Sequence, residues 1–155
     1  MGLDMYLKRE HYVKNWDYNP EEKKFEITVN RGGKPYPIDP EKISYITEEI
    51  MYWRKFNALH NWIVNNCANG VDECQRIYMS NNDLVDLYNT LKEVSVDNNK
   101  AEELLPTTAG FFFGGTDYDE YYFDQVNRTI EELRPYIQDI HENSFNSDFV
   151  YQASW

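Results

Sequence analysis

Ile43-Ser44-Tyr45-Ile46-Thr47-Glu48-Glu49-Ile50-Met51-Tyr52-Trp53-Arg54-Lys55-Phe56-Asn57-Ala58-Leu59-His60-Asn61-Trp62-Ile63-Val64-Asn65-Asn66 is the stretch in which this chain changes its period. In its second half Tyr52, Phe56, Leu59 and Ile63 recur at i, i+4, i+7 and i+11, the spacing of one helical face. That predicts a helix from 51 to about 66, stopped by Asn69-Gly70. The first half, 43–50, reads as a strand or as the lead-in to that helix, and the strand is favoured. A strand giving way to a helix inside one segment points to the α+β class.

The flanks fit that class. Leu3, Met5 and Leu7 alternate with Asp4, Tyr6 and Lys8, which predicts a first strand. Phe25, Ile27 and Val29 alternate in the same way and predict a second, ending in a hairpin turn at Asn30-Arg31-Gly32-Gly33-Lys34. Pro35, Pro37 and Pro40 make the next segment an edge or a loop. Downstream, 75–79 is a short strand candidate. Ser80 with Asp83 forms a capping box for a helix with Leu84, Leu87, Tyr88 and Leu91 on one face. Residues 101–105 make one helical turn, and 106–117 a loop or a strand flanked by loops. A long helix is expected from about 118 to 141, with Tyr122, Val126, Ile130, Leu133, Ile137 and Ile140 inward and Pro135 kinking or dividing it. Phe149 to Trp155 alternate again, as a terminal strand. Both end strands need partners for their backbone groups, so Leu3, Met5 and Leu7 are expected beside Phe149, Tyr151 and Ala153. The expectation is a single α+β domain over 1–155: a small antiparallel or mixed sheet with about three helices packed on one face.

At 155 residues, 41% hydrophobic and 16% aromatic, the chain can build one core, and disorder is not expected. It has no apolar run of about 18 residues and no basic-then-apolar start, so neither a membrane span nor a signal peptide is inferred, and a cytoplasmic location is expected. Cys67 and Cys74 lack flanking Cys or His ligands, which argues against zinc and for reduced thiols. The net charge of -12 is uneven: 1–60 are neutral, while the acid excess falls in 61–155. This balance disfavours direct nucleic-acid binding, because phosphate contacts need Lys and Arg. The acidity is either a solvated surface or a mimic of nucleic-acid charge aimed at a basic groove.

Two aromatic-rich blocks carry ligand-capable groups. On the expected 51–66 helix, Arg54, Asn57, Asn61 and Asn65 fall at i, i+3, i+7 and i+11 and align on one face, flanked by Trp53 and His60. Arg supplies a planar fork for phosphate or carboxylate, and Asn can read polar edges. A solvated helix face is the plainer reading, although several Asn residues in one helix lower its stability without local gain. In the second block, Gly110, Gly114 and Gly115 permit close approach of a ligand, and Thr107, Thr108 and Thr116 add hydroxyls. A core Phe111-Phe112-Phe113 run between turn glycines is the plainer reading there. Asp117, Asp119 and Glu120 fit helix capping better than cation binding. No metal or cofactor is called for. No nucleophile or metalloprotease motif appears; His60 with Asp119 is a conceivable acid–base pair that no spacing supports.

Gly2-Leu3-Asp4-Met5-Tyr6-Leu7, Tyr52-Trp53-Arg54-Lys55 with Asn57, His60 and Trp62, Leu105-Pro106-Thr107, Gly110-Phe111-Phe112-Phe113-Gly114, Tyr118-Asp119-Glu120-Tyr121-Tyr122 and Tyr151-Gln152-Ala153-Ser154-Trp155 together resemble a family of small phage and prophage proteins. The resemblance spans nearly the whole chain. It implies a genomic setting and not a mechanism; small accessory phage proteins often counter host defence. The expected function is to bind and sequester a small polar, nucleotide-type ligand in the host cytosol. Arg54 would meet phosphate, Asn57, His60 and Asn61 would read polar edges, Trp53 and Tyr118 would stack on a base, and Thr108, Gly114, Gly115 and Thr116 would close around it. One alternative is an acidic inhibitor that mimics nucleic acid and blocks a host nuclease or other basic defence protein through the helix and tail at 117–148. Another is a small hydrolase or transferase using His60. Association into a homo-oligomer stays open.

Overall fold

A computed structural model describes residues 2–142 and 147–155. Among these residues, six strands and four α-helices run in the order β1 (Asp4–Tyr12), β2 (Asn30–Arg31), β3 (Lys34–Pro35), β4 (Tyr45–Arg54), α1 (Asn57–Cys67), β5 (Ile77–Met79), α2 (Asn81–Val96), α3 (Ala101–Leu104), α4 (Glu120–Glu142) and β6 (Ser147–Ser154). The main sheet is antiparallel with strand order β4-β1-β6-β5, and β2-β3 form a separate small hairpin. This is an α+β architecture.

The end strands pair as their alternation requires: Met5 lies opposite Ala153, Leu7 opposite Tyr151 and Arg9 opposite Phe149. Leu3, Met5, Leu7, Phe149 and Tyr151 are buried on the face that the helices cover. On the other face Lys8 is half-buried and Gln152 and Tyr78 are exposed, as in a sheet with one solvated side. α2 opens on the capping box: the Ser80 hydroxyl accepts from the Asp83 amide, and the Asp83 carboxylate accepts from the Ser80 amide. α4 lays Tyr122, Val126, Ile130, Leu133 and Ile137 into the core.

Three expectations need correction. Residues 45–54 are one strand, so the helix begins at Asn57 and not at 51. The pairing with β1 decides this: Trp53 stands opposite Met5 and fills the core, and an irregularity between Leu7 and Lys8 lets Ile50 and Met51 both be buried. Tyr52 falls on the helical period only by coincidence. Phe25, Ile27 and Val29 form no ladder; their alternation has no partner strand, and Phe25 is exposed. Pro135 does not divide α4. It sits on the exposed side, where water can satisfy the carbonyl of Glu131 that loses its helical donor.

Arg9 is the charged residue drawn deepest into the sheet. Its guanidinium pairs with Asp139 of α4 at 3.2 Å, donates to the Ser147 hydroxyl at 3.0 Å and lies over the Phe149 and Tyr136 rings. A buried guanidinium needs such partners.

Candidate functional site

The corner between β4 and α1 is sharp, and Lys55 makes it. Its backbone is left-handed, with φ 61°, a conformation that few non-glycine residues adopt. The Lys55 amide donates to the Leu3 carbonyl at 2.8 Å, and the Leu3 amide donates to the Phe112 carbonyl at 3.1 Å. The start of β1 therefore lies between the corner and the 106–119 loop.

That loop has little regular structure, and Asn57 organises it. Asn57 is 3% exposed. Its amide group donates to the Phe113 carbonyl at 2.9 Å and the Gly115 carbonyl at 2.8 Å, while its oxygen accepts from the Thr108 amide at 3.0 Å. One side chain thus satisfies three backbone groups that no strand pairs. The Thr107 hydroxyl donates to the Thr116 carbonyl, and the Thr107 amide donates to the Tyr118 hydroxyl. Gly110 is required because a Cβ there would lie 2.7 Å from the Phe113 ring. Gly114 is required by its φ of 80°. The Phe run is not core: Phe111 is exposed, and Phe113 is half-buried edge-on to His60 and Trp155.

Corner, loop and the first turn of α4 enclose a cleft of about 490 Å³. One wall comes from Arg54, Lys55, Phe56, Asn57 and Ala58; the other from Thr107, Gly114, Gly115, Asp117, Asp119, Tyr121 and Tyr122. Arg54 is exposed and stands 3.7 Å from Asp4, a loose pair, while Asp4 already accepts from the Tyr52 hydroxyl. The Lys55 stem lies against Gly114, and no side-chain hydrogen bond or ion pair joins its ammonium to another described residue. Asp119 caps α4 by accepting from the Tyr122 amide at 3.0 Å. Tyr121 is half-exposed, and its hydroxyl donates to the Arg54 carbonyl at 2.7 Å, which fixes the ring at the cleft. Tyr122 is buried, donates to the Leu105 carbonyl and packs edge-on against Phe56. Burial, and then Tyr118 nearby, push its phenol far above the ordinary range.

Of the ten residues assigned to the ligand from the sequence, Arg54, Asn57, Gly114 and Gly115 line this cleft, and Trp53, His60, Asn61, Thr108, Thr116 and Tyr118 do not. Arg54 does so from a strand, not from a helix face shared with Asn61 and Asn65; those two amides bond each other at 3.0 Å. Trp53 is fully buried, and its indole N–H donates to the Thr129 hydroxyl at 2.8 Å, so it cannot stack on a ligand. Thr108 and Thr116 serve the loop through their backbone, and Tyr118 packs on Tyr122.

His60 is 2% exposed and sits in a different network. Its Nε2 lies 2.8 Å from the Asp72 carboxylate and its Nδ1 2.6 Å from the Tyr151 hydroxyl. A carboxylate only accepts, so Nε2–H donates to Asp72, and in the neutral ring Nδ1 accepts from Tyr151. Asp72, not Asp119, is its acid partner. Asp72 also accepts from the Trp155 indole at 3.3 Å, which ties the last residue to the 69–76 turn. Burial, reinforced by Asp72, holds the Tyr151 hydroxyl well above its ordinary range. The network is a buried brace between α1, this turn and β6.

Lys55, Thr107, Asp117, Asp119 and Tyr121 join the cleft without having been assigned to the ligand. Tyr121 carries a readable signal: it is a large ring one position off the inner face begun by Tyr122. Lys55 carries none, because no pattern marks a left-handed lysine.

Burial, with Asp83 nearby, pushes the Cys67 thiol up to about 12, so it stays protonated at neutral pH. Among the described residues no group of three or more His, Cys, Asp or Glu side chains gathers to hold a metal. No helix among them is long and apolar enough to cross a membrane. Of the α4 carboxylates, Glu131 is held by Arg134 and Asp139 by Arg9, while Asp124 has no ion pair among the described residues. Residues 143–146 of the acidic segment 117–148 lie outside the described residues. Comparison of the chain with protein-family models, curated proteins and solved structures finds no match.

Proposed function

We propose that this chain is a phage-encoded accessory protein that binds a small nucleotide-type ligand in the β4–α1 cleft and counters host defence by sequestering it. The observation that carries the ligand reading is the pair of adjacent cations, Arg54 and Lys55, on one wall of a concave site. The Lys55 ammonium has no protein partner among the described residues, and its backbone is held in a costly conformation. Side chains strained and unpaired in a cleft are a mark of binding sites. Tyr121 offers a fixed ring for a base, and Gly114 and Gly115 let the ligand approach the backbone. The net charge of -12 slows the approach of anions, but the cations come from the electroneutral 1–60 segment. Sequestration needs no catalytic group, in keeping with the burial of His60 away from the cleft.

Titration of the full chain with the four ribonucleoside monophosphates tests this reading. At least one should bind, and Arg54→Ala should weaken it by roughly 10- to 150-fold, the worth of a charge-assisted hydrogen bond. The melting temperature should barely move, because an exposed, loosely paired Arg contributes about 0–1 kcal/mol to folding. Binding by none of the four, or unfolding of the variant, would overturn the assignment.

A further inference from the structure

The cleft contains both signs of charge. Its cations, Arg54 and Lys55, come from the β4–α1 corner; its carboxylates, Asp117 and Asp119, come from the end of the loop. A purely anionic ligand would suit the first wall and be repelled by the second. A ligand with an anionic group at one end and N–H donors at the other satisfies both. Asp119 spends one oxygen on the α4 cap. Asp117 is exposed, and its carboxylate makes no hydrogen bond or ion pair with a described residue, so both of its oxygens are free to accept. Beside these carboxylates stand the fixed Tyr121 ring and Gly115, where an added Cβ would meet open space.

Resting on the nucleotide reading above, we propose that this cleft selects a guanine nucleotide, with its phosphate on Arg54 and Lys55 and its base edge on Asp117. Guanine alone among the common bases presents two adjacent donors, N1–H and the N2 amino group, which match the two oxygens of a carboxylate. Adenine and cytosine set a ring-nitrogen lone pair beside their amino group, which a carboxylate repels. Uracil offers one N–H between two carbonyls. A carboxylate that only accepts therefore discriminates for guanine and against the rest, as unpaired or opposed polar groups are strongly disfavoured in recognition.

The test is calorimetric titration of the full chain with GMP, IMP and AMP at one ionic strength. IMP differs from GMP by the N2 amino group alone. GMP should bind roughly ten-fold or more tightly than IMP, and more tightly still than AMP. Asp117→Asn, at an exposed position with no side-chain partner among the described residues, should fold normally, weaken GMP binding and relieve the repulsion of adenine, so that the preference for GMP is erased. Equal binding of all three, lost together in Arg54→Ala, would overturn the guanine assignment and leave the nucleotide reading standing. A preference for GMP that survives Asp117→Asn would also overturn the role given to Asp117. Binding of none of them would remove both readings.

Discussion

Lys55 is the residue at which strain and ligand binding can be separated. Its left-handed backbone costs about 1–2 kcal/mol for an L-residue. Glycine there would relieve that strain, offset by about 0.4–1 kcal/mol from the freer unfolded chain. Lys55→Gly should therefore leave thermal stability within about 1 kcal/mol of the parent, yet weaken nucleotide binding by about ten-fold or more. A lower melting point with undiminished binding would show that the side chain serves the fold, packing on Gly114, and not the ligand. Trp53 and His60 show the opposite case. Both are residue types that commonly serve sites, and their place in the sequence suggests one. Each instead has a partner far along the chain: Thr129 for Trp53 and Tyr151 for His60. Those partners become visible only once the sheet brings β6 and α4 against the corner.

At the level of elements, features governed by local rules are legible in the sequence. The Ser80–Asp83 box, the terminal alternations and the long amphipathic helix all arise from neighbours a few residues apart. The β4–α1 boundary is not legible, because 51–54 satisfies the helical period and the strand period alike, and register with β1 decides between them. The Phe25–Val29 alternation misleads for the converse reason: period two makes a strand only where a partner strand exists. The sequence leaves 106–117 as a loop or a strand flanked by loops, and the loop that forms takes its shape from Asn57, some fifty residues earlier. Replacing Asn57 by Asp keeps size and shape but points a carboxylate oxygen at the Phe113 and Gly115 carbonyls. Asn57→Asp should destabilise by about 1–3 kcal/mol. It should also speed amide exchange at Thr108 well beyond that in α4, and reduce ligand binding. Unchanged exchange at Thr108 would mean that the loop is held by something other than this side chain.

In the molecule taken whole, the sheet closes the chain on itself by pairing its two ends, and that closure builds the cleft. Leu3 carries the corner on one side and the loop on the other through two backbone hydrogen bonds. The site is therefore a product of the fold, although its cations lie next to each other in sequence. The overall acidity and the local cations coexist because ten of the fifteen Lys and Arg fall in residues 1–60, where they balance the acids, and the acid excess lies in 61–155. On the proposed function, this cleft is where the protein meets its ligand, and not the acidic face of α4 or the solvated face of the sheet. Backbone amide chemical shifts recorded during titration with GMP separate these surfaces residue by residue. The largest changes should cluster at 54–58, Thr107 and 114–122, with the Trp53 indole N–H nearly still. Shifts concentrated on α4 around Asp124, or on the sheet around Tyr6, Lys8 and Gln152, or no saturable shifts at all, would refute the assignment of the cleft.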